Sequence, residues 1–124
     1  MIRKRVLARI ALWAAICLAV VMALLPHPPA LPTDAYGDKV QHMMAFAVMA
    51  LLAAIAYPEV PLPRIAERLS FLGALIEVAQ SIPMLGRDCD IRDWFADTGA
   101  VVVVIGLYAL VRHLAGRDRP PGAT

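Results

Sequence analysis

Long apolar runs bounded by prolines are the feature of this sequence that most constrains its fold. The run from Val6 to Leu25 is interrupted only by Arg9, and it is longer than the apolar core of a typical signal peptide. A transmembrane helix needs about 20 mostly apolar residues. With 60% hydrophobic and 18% charged residues in 124 residues, the chain has room for four such helices and for no separate soluble domain. The sequence therefore predicts an all-α integral membrane protein, a single four-helix bundle over residues 1–124.

Proline cannot continue a helix, so the prolines define where the predicted spans end. The spans cover about residues 6–25, 39–57, 64–82 and 93–114, and a disordered tail is predicted at 115–124. The third span is the least apolar, because Arg64, Glu67, Arg68 and Glu77 leave only Leu69–Ile76 free of charge. Two interpretations remain open for it, an interfacial or re-entrant segment and a spanning helix. Its length favours the spanning helix.

Small residues in the predicted spans indicate where helices can approach each other closely. The fourth span offers Gly99 and Gly106 for such contacts. The second span offers a series of alanines: Ala45, Ala47, Ala50, Ala53, Ala54 and Ala56.

The distribution of basic residues predicts the orientation of the chain. In a four-span topology one side carries nine of them, Arg3, Lys4, Arg5, Arg9, Arg64, Arg68, Arg112, Arg117 and Arg119. The other side carries three, Lys39, Arg87 and Arg92. Because basic loops stay in the cytoplasm, both termini are predicted to be cytoplasmic and the loops at 26–38 and 83–93 to face outward. A formal net charge of only +2 gives no support to nucleic-acid binding.

Five carboxylates between Glu77 and Asp97 lie in a sequence that is otherwise largely apolar. In the predicted topology they share the outer rim of the bundle with the start of the second span. Residues four apart, such as Asp38 and His42, lie on one helix face. The predicted outward-facing polar pocket consists of Asp38, Lys39, His42, Glu77, Gln80, Arg87, Asp90, Asp93 and Asp97.

Each of these residues also has a purely structural interpretation. Asp38 and Asp93 can cap helix starts, and Arg87 can form an ordinary loop salt bridge. Glu77 and Asp97 are harder to explain in this way, because ionisable residues inside a membrane segment usually mark a function. His42, Glu77 and Asp97 are the candidates for acid–base chemistry. The sequence offers no activated nucleophile, and no metal site or cofactor is predicted, since the spacing matches no ligand motif and Arg87 would oppose a cation.

Three stretches resemble the VanZ-like family of small bacterial membrane proteins: residues 38–46 at the start of the second span, Glu77 to Gln80, and residues 86–93 leading to Asp97 and Gly99. The resemblance covers about residues 38 to 110. Family proteins often carry asparagine where this chain has Asp97. The resemblance implies a multi-pass protein of the bacterial inner membrane with a role in the cell envelope. The family's namesake is linked to resistance to the antibiotic teicoplanin, and the resemblance supplies no reaction.

Three functions are compatible with this pattern. The first is binding of the headgroup of an envelope lipid or a lipid-linked cell-wall precursor, with Arg87 able to hold a phosphate. The second is a membrane hydrolase or transferase in which His42 and the carboxylates act as acid and base. The third is a structural partner protein whose polar residues only stabilise the bundle; its protein partners are not predicted.

Overall fold

The structure, a computed structural model, describes residues 2–25, 38–82 and 91–117. Within these ranges the chain forms helices and no strand. The helices are α1 (Ile2–Leu24), α2 (Asp38–Ala56), α3 (Leu62–Gln80) and α4 (Ile91–Arg117). The prediction of an all-α fold with four helices is confirmed.

Helix ends agree with the proline pattern in the turn between α2 and α3. Pro61 directly precedes α3, and Pro63 lies in its first turn, where a missing backbone N–H costs nothing. The fourth helix differs from its prediction, because it continues to Arg117. Residues 115–117, assigned from the sequence to a disordered tail, are therefore helical, and residues 118–124 lie outside the described residues.

Hydrogen bonds between helices establish that consecutive helices run in opposite directions. Arg9, near the start of α1, donates from Nε to the carbonyl of Ala56 at the end of α2 (2.9 Å). Gln80, at the end of α3, donates to the carbonyl of Ala23 at the end of α1 (2.9 Å). Ser70 of α3 meets Thr98 of α4, and Gly73, three residues later on α3, meets Trp94, four residues earlier on α4. The ends of α1 and α3 and the starts of α2 and α4 therefore share one end of the bundle, which we call the polar end.

The core of the bundle is small and apolar. Met49 of α2 and Val101 of α4 are its largest fully buried side chains. Four alanines of α2, Ala50, Ala53, Ala54 and Ala56, are also buried, so the predicted small-residue surface packs against other helices. Gly99 and Gly106 do not, because a Cβ atom built at either position meets nothing within 4 Å in the described structure. The prediction of close contacts at these two glycines is wrong.

Two helices are long and apolar enough to cross a membrane, α1 (Ile2–Leu24) and α4 (Ile91–Gly116). The apolar part of α2, Val40–Ala56, is shorter. The third helix is not among them, and its Arg64, Glu67 and Arg68 are exposed. Its membrane crossing stays a prediction.

A hydrogen-bonded group at the opposite end of the bundle fixes α1 against α2. The Arg9 guanidinium lies 4.5 Å from the centroid of the Tyr57 ring, and it forms a 3.4 Å ion pair with the exposed Glu59. Trp13 donates from Nε1 to the Tyr57 hydroxyl (3.0 Å). Arg9, the one charge in the first apolar run, thus donates to a carbonyl that the end of α2 leaves without a helical partner.

Arg9→Ala is expected to lower the free energy of unfolding by about 1–2 kcal/mol, because it removes a hydrogen bond to a backbone carbonyl and a cation–π contact. Arg9→Lys keeps the charge without the planar donor group, and it is expected to lose less. Thermal unfolding in a single detergent provides the measurement. Arg5→Ala, at an exposed position of α1, is the control; an equal loss in both variants would contradict this role of Arg9.

Candidate functional site

Among the residues that the structure describes, three polar side chains are buried, all at the polar end: Glu77 and Gln80 of α3 and Asp97 of α4. Their exposed fractions are 4%, 2% and 3%. We call them the buried polar set. All three belong to the pocket predicted from the sequence. Charged groups are almost never fully buried without a compensating partner, so this set is the part of the bundle that most needs an explanation.

Gln80 is held by one of its two polar groups. Its Nε2 atom donates to Ala23, as described above, and this bond joins the ends of α3 and α1. Its Oε1 atom is buried and accepts no hydrogen bond within the described ranges. The side chain therefore has a fixed position and still presents a free acceptor.

Asp97 lies on the second turn of α4, below the rim of the polar end. Its Oδ1 atom is buried and has no hydrogen-bond donor among the described residues. Asp93, one turn earlier on the same helix, and Glu77 on α3 act electrostatically on this carboxyl group. Two other carboxyl groups therefore lie within electrostatic range of the buried Asp97, where like charges repel strongly.

His42 and Glu77 each lie one helical turn closer to the polar end than a contact between α2 and α3. A Cβ atom built on Gly73 would lie 3.5 Å from Cζ of Phe46, so these two residues meet at one level. His42 precedes Phe46 by four residues and Glu77 follows Gly73 by four, and both steps lead toward the polar end. The half-buried His42 and the buried Glu77 are therefore at similar depth on adjacent helices.

The structure describes the other predicted pocket residues only in part. Asp93 is half-buried in the first turn of α4, where a carboxylate interacts favourably with the helix N-terminus. Asp38 and Lys39 begin α2, and their side chains lie outside the described residues. Arg87 and Asp90 lie outside the described residues altogether. Of the predicted pocket residues, the structure thus brings Asp93 and Glu77 within electrostatic range of Asp97, and the rest of the predicted pocket stays a prediction.

Sequence reasoning did not single out the contacts that hold α3 against α4. Trp94 donates from Nε1 to the backbone carbonyl of Ser70 (2.9 Å), and the Ser70 and Thr98 hydroxyls share a hydrogen bond of 3.0 Å. Gly73 lies beside them, with a built Cβ 3.4 Å from Cδ1 of Trp94. The one signal in the sequence was that Leu69, Gly73 and Glu77 recur every four residues on one face of α3.

The chemistry available to this site is acid–base chemistry and hydrogen bonding. Carboxyl groups and an imidazole can transfer protons, and the free acceptor atoms can receive hydrogen bonds from a ligand. In the described part of the chain, no three His, Cys, Asp or Glu side chains are grouped so as to hold a metal ion.

Fold and site together define a class, an all-helical bundle with two helices long and apolar enough to cross a membrane and with buried polar groups at one end. No protein-family model matches the chain, and no curated protein and no solved structure shows significant similarity to it. Any more specific assignment depends on the residues themselves.

Proposed function

We propose that this chain is a VanZ-like protein of the bacterial inner membrane that binds the headgroup of an envelope lipid or lipid-linked cell-wall precursor at its polar end. The observation that carries the proposal is the pair of buried acceptor atoms, Oε1 of Gln80 and Oδ1 of Asp97, with no donor in the described structure. A buried acceptor without a partner costs about 1–3 kcal/mol. A ligand that brings hydrogen-bond donors removes this cost when it binds.

The carboxylates at the polar end favour a headgroup with a positive charge or several hydroxyl groups. Glu77, Asp93 and Asp97 supply negative charge, and carboxylates bind ammonium groups through charge-assisted hydrogen bonds. Arg87 and Arg92, which border this region in the sequence, are suited to the phosphate of the same headgroup. Phosphatidylethanolamine combines an ammonium group and a phosphate, and it is the probe that fits this arrangement.

Aromatic and basic side chains at the other end of the bundle support the membrane part of the proposal. Trp13 and Tyr57 lie there beside Arg9. On α4, which runs parallel to α2, Arg112 lies 5.7 Å from the Tyr108 ring centroid. Tryptophan, tyrosine and arginine are enriched where a helix leaves the membrane. From Ile91 to Tyr108, α4 covers about 26 Å at 1.5 Å per residue, close to the hydrocarbon thickness of a bilayer.

Native mass spectrometry of the detergent-extracted protein tests the proposal, with phosphatidylethanolamine and phosphatidylglycerol added as probes. Asp97→Ala is expected to reduce retained phosphatidylethanolamine about tenfold, as one charged contact of about 1.4 kcal/mol or more is lost. Glu59→Gln is the matched control, because it removes an exposed carboxylate at the opposite end of the bundle. If Asp97→Ala retains as much of each lipid as the wild-type protein does, the headgroup site is contradicted.

A second candidate function is a hydrolase or transferase acting at the membrane surface. It is favoured by the similar depth of His42 and Glu77 on adjacent helices, two residues that can serve as acid and base. In that case His42→Ala and Glu77→Gln should abolish turnover of a phospholipid ester or phosphodiester while lipid retention persists. If the variants instead lose stability with no separate change in lipid retention or turnover, the third hypothesis, a structural partner protein, is favoured.

A further inference from the structure

Charged side chains of α3 lie exposed beside the middle of the α4 span. The Ser70 hydroxyl pairs with Thr98, and Arg68 and Glu67 come two and three residues before Ser70. Because α3 and α4 run in opposite directions, Glu67 and Arg68 lie at the level of residues 100–101 of α4. This level is close to the midpoint of the α4 segment proposed above to cross the hydrocarbon.

The charged groups at this level have no partner among the described residues. Arg64, Glu67 and Arg68 are exposed, and none of their side chains forms an ion pair or a hydrogen bond within the described ranges. Charged residues at such a depth in a membrane pair with one another, face the interior of a bundle or line a water-filled cavity. In a membrane this face of α3 is therefore covered by protein and not by lipid tails.

An open groove of about 610 Å³ follows the same face, between α3 and α4. Its lining includes Glu67 and the small residues Ala66 and Ala74, and Phe71 borders it with its ring largely exposed. Helical periodicity places Phe71 and Arg64 farther from α4 than Glu67 is. The exposed face of α3 therefore carries a projecting aromatic ring on one side and a depression on the other.

We propose that this face binds a second copy of the chain, an inference that rests on the proposed membrane location. Two copies with the same orientation in a membrane are related by a two-fold axis along the membrane normal, and residues at the same level meet across that axis. An axis through the exposed face of α3 brings Glu67 of one copy to Arg64 and Arg68 of the other. The reverse pairing forms at the same time, so all these charges gain partners.

The same axis brings the projecting ring to the depression. Phe71 of one copy faces the groove of the other, where Ala66 and Ala74 leave room for it. Close packing against small residues holds helices together in a membrane, where no hydrophobic driving force acts between them. The face is thus complementary to itself in shape and in charge, whereas a hydrocarbon chain in the groove would leave the three charges without a partner.

Charge reversal in the full-length chain tests the proposal. Native mass spectrometry of protein extracted from membranes should show a dimer for the wild type. Glu67→Arg makes the face uniformly basic, and Arg64→Glu combined with Arg68→Glu makes it uniformly acidic. Each variant alone should lose the dimer at least about tenfold, because like charges meet across the axis.

Co-expression of the two charge-reversed chains should restore a dimer with one copy of each. A variant that only misfolds is not rescued in this way. Failure to form the mixed dimer would overturn the proposal. A monomeric wild type, or a fixed-ratio complex of the wild type with a different membrane protein, would overturn it as well.

Matched truncations test the fit of the ring in the groove. Phe71→Ala should reduce the dimer about tenfold, as the loss of a packed aromatic residue at an interface does. Leu18→Ala removes a side chain of α1 that is exposed to the same extent, 65% against 64%, and should leave the dimer unchanged. An equal effect of the two variants would contradict the groove contact.

The same spectra separate this proposal from the headgroup site, because they record retained phosphatidylethanolamine beside the number of subunits. Asp97→Ala should lose the lipid and keep the dimer, since Asp97 is buried. Glu67→Arg should lose the dimer and keep the lipid. A wild-type monomer that retains phosphatidylethanolamine would overturn the dimer and support the headgroup site, and a dimer without the lipid would do the reverse.

Discussion

Asp97→Asn is expected to raise the free energy of unfolding by about 1–3 kcal/mol, because a buried charged group without a partner costs more than a buried neutral amide. The amide has nearly the same shape as the carboxyl group and carries no charge to repel Asp93 and Glu77. The change therefore removes a cost that the bundle carries without a ligand. Thermal and denaturant unfolding at pH 8 in a lipid-free detergent gives the measurement.

The same substitution at Asp93 is a control with the opposite expected sign. Asp93 lies in the first turn of α4, where its charge interacts favourably with the helix N-terminus. Asp93→Asn should therefore lower the free energy of unfolding by about 0.3–1 kcal/mol. If Asp97→Asn destabilises the chain as well, Asp97 serves the fold and the headgroup proposal loses its physical basis. A gain in stability together with a loss of lipid retention is the combination that a binding site predicts.

Gly73→Leu is expected to lower the free energy of unfolding by about 1–3 kcal/mol or more, as overpacking at a tight contact does. A Cβ atom at Gly73 already reaches ordinary contact with Trp94 and Phe46, at 3.4 and 3.5 Å. The further carbons of leucine would enter the space of these rings, and α2, α3 and α4 would have to separate. The Trp94 hydrogen bond to Ser70 would be lost with them.

Two matched substitutions isolate the cause of this effect. Gly73→Ala adds only the Cβ atom, which fits, and alanine favours helix by about 0.8–1 kcal/mol, so stability should be unchanged or slightly higher. Gly99→Leu places the same leucine where a built Cβ meets nothing within 4 Å in the described structure, and it should be tolerated. Folded yield by size exclusion and unfolding by intrinsic tryptophan fluorescence report on all three variants. Normal folding of Gly73→Leu would contradict the contact.

The two predictions together distinguish the candidate functions. A ligand-binding site at the polar end requires that Asp97 be unfavourable for the fold and favourable for lipid retention. If Asp97 has a structural role, Asp97→Asn should lower both the free energy of unfolding and lipid retention. Gly73 is a reference in either case, because it belongs to the packing of three helices and carries no polar side chain that could bind a headgroup.

The helices themselves followed from local properties of the chain. Apolar runs of helical length end at prolines, and this pattern predicted all four helices. It placed the end of α4 at about residue 114, whereas the helix continues to Arg117. Burial of Glu77 and Asp97 could also be anticipated, since each lies inside a hydrophobic segment. The predicted convergence of three spans at one rim is consistent with the alternating directions of the helices.

Tertiary contacts decided what local patterns could not. Both Gly99 and Gly106 look like contact sites on α4 but meet no other described residue, whereas Gly73 is the glycine at a close approach among the described glycines. Which glycine is used depends on the rotation of each helix about its axis, and that rotation is determined by packing against all neighbours at once.

The sequence by itself determined the helix content, the apolar character and the presence of carboxylates near one rim, because these depend on short-range periodicity and composition. Only the tertiary structure decided that Gln80 bonds to Ala23, that an oxygen of Asp97 has no donor among the described residues, and that a groove lies between α3 and α4. Each of these depends on distances between residues far apart in the chain. Such distances arise from the rotation and offset of whole helices, which no local pattern contains.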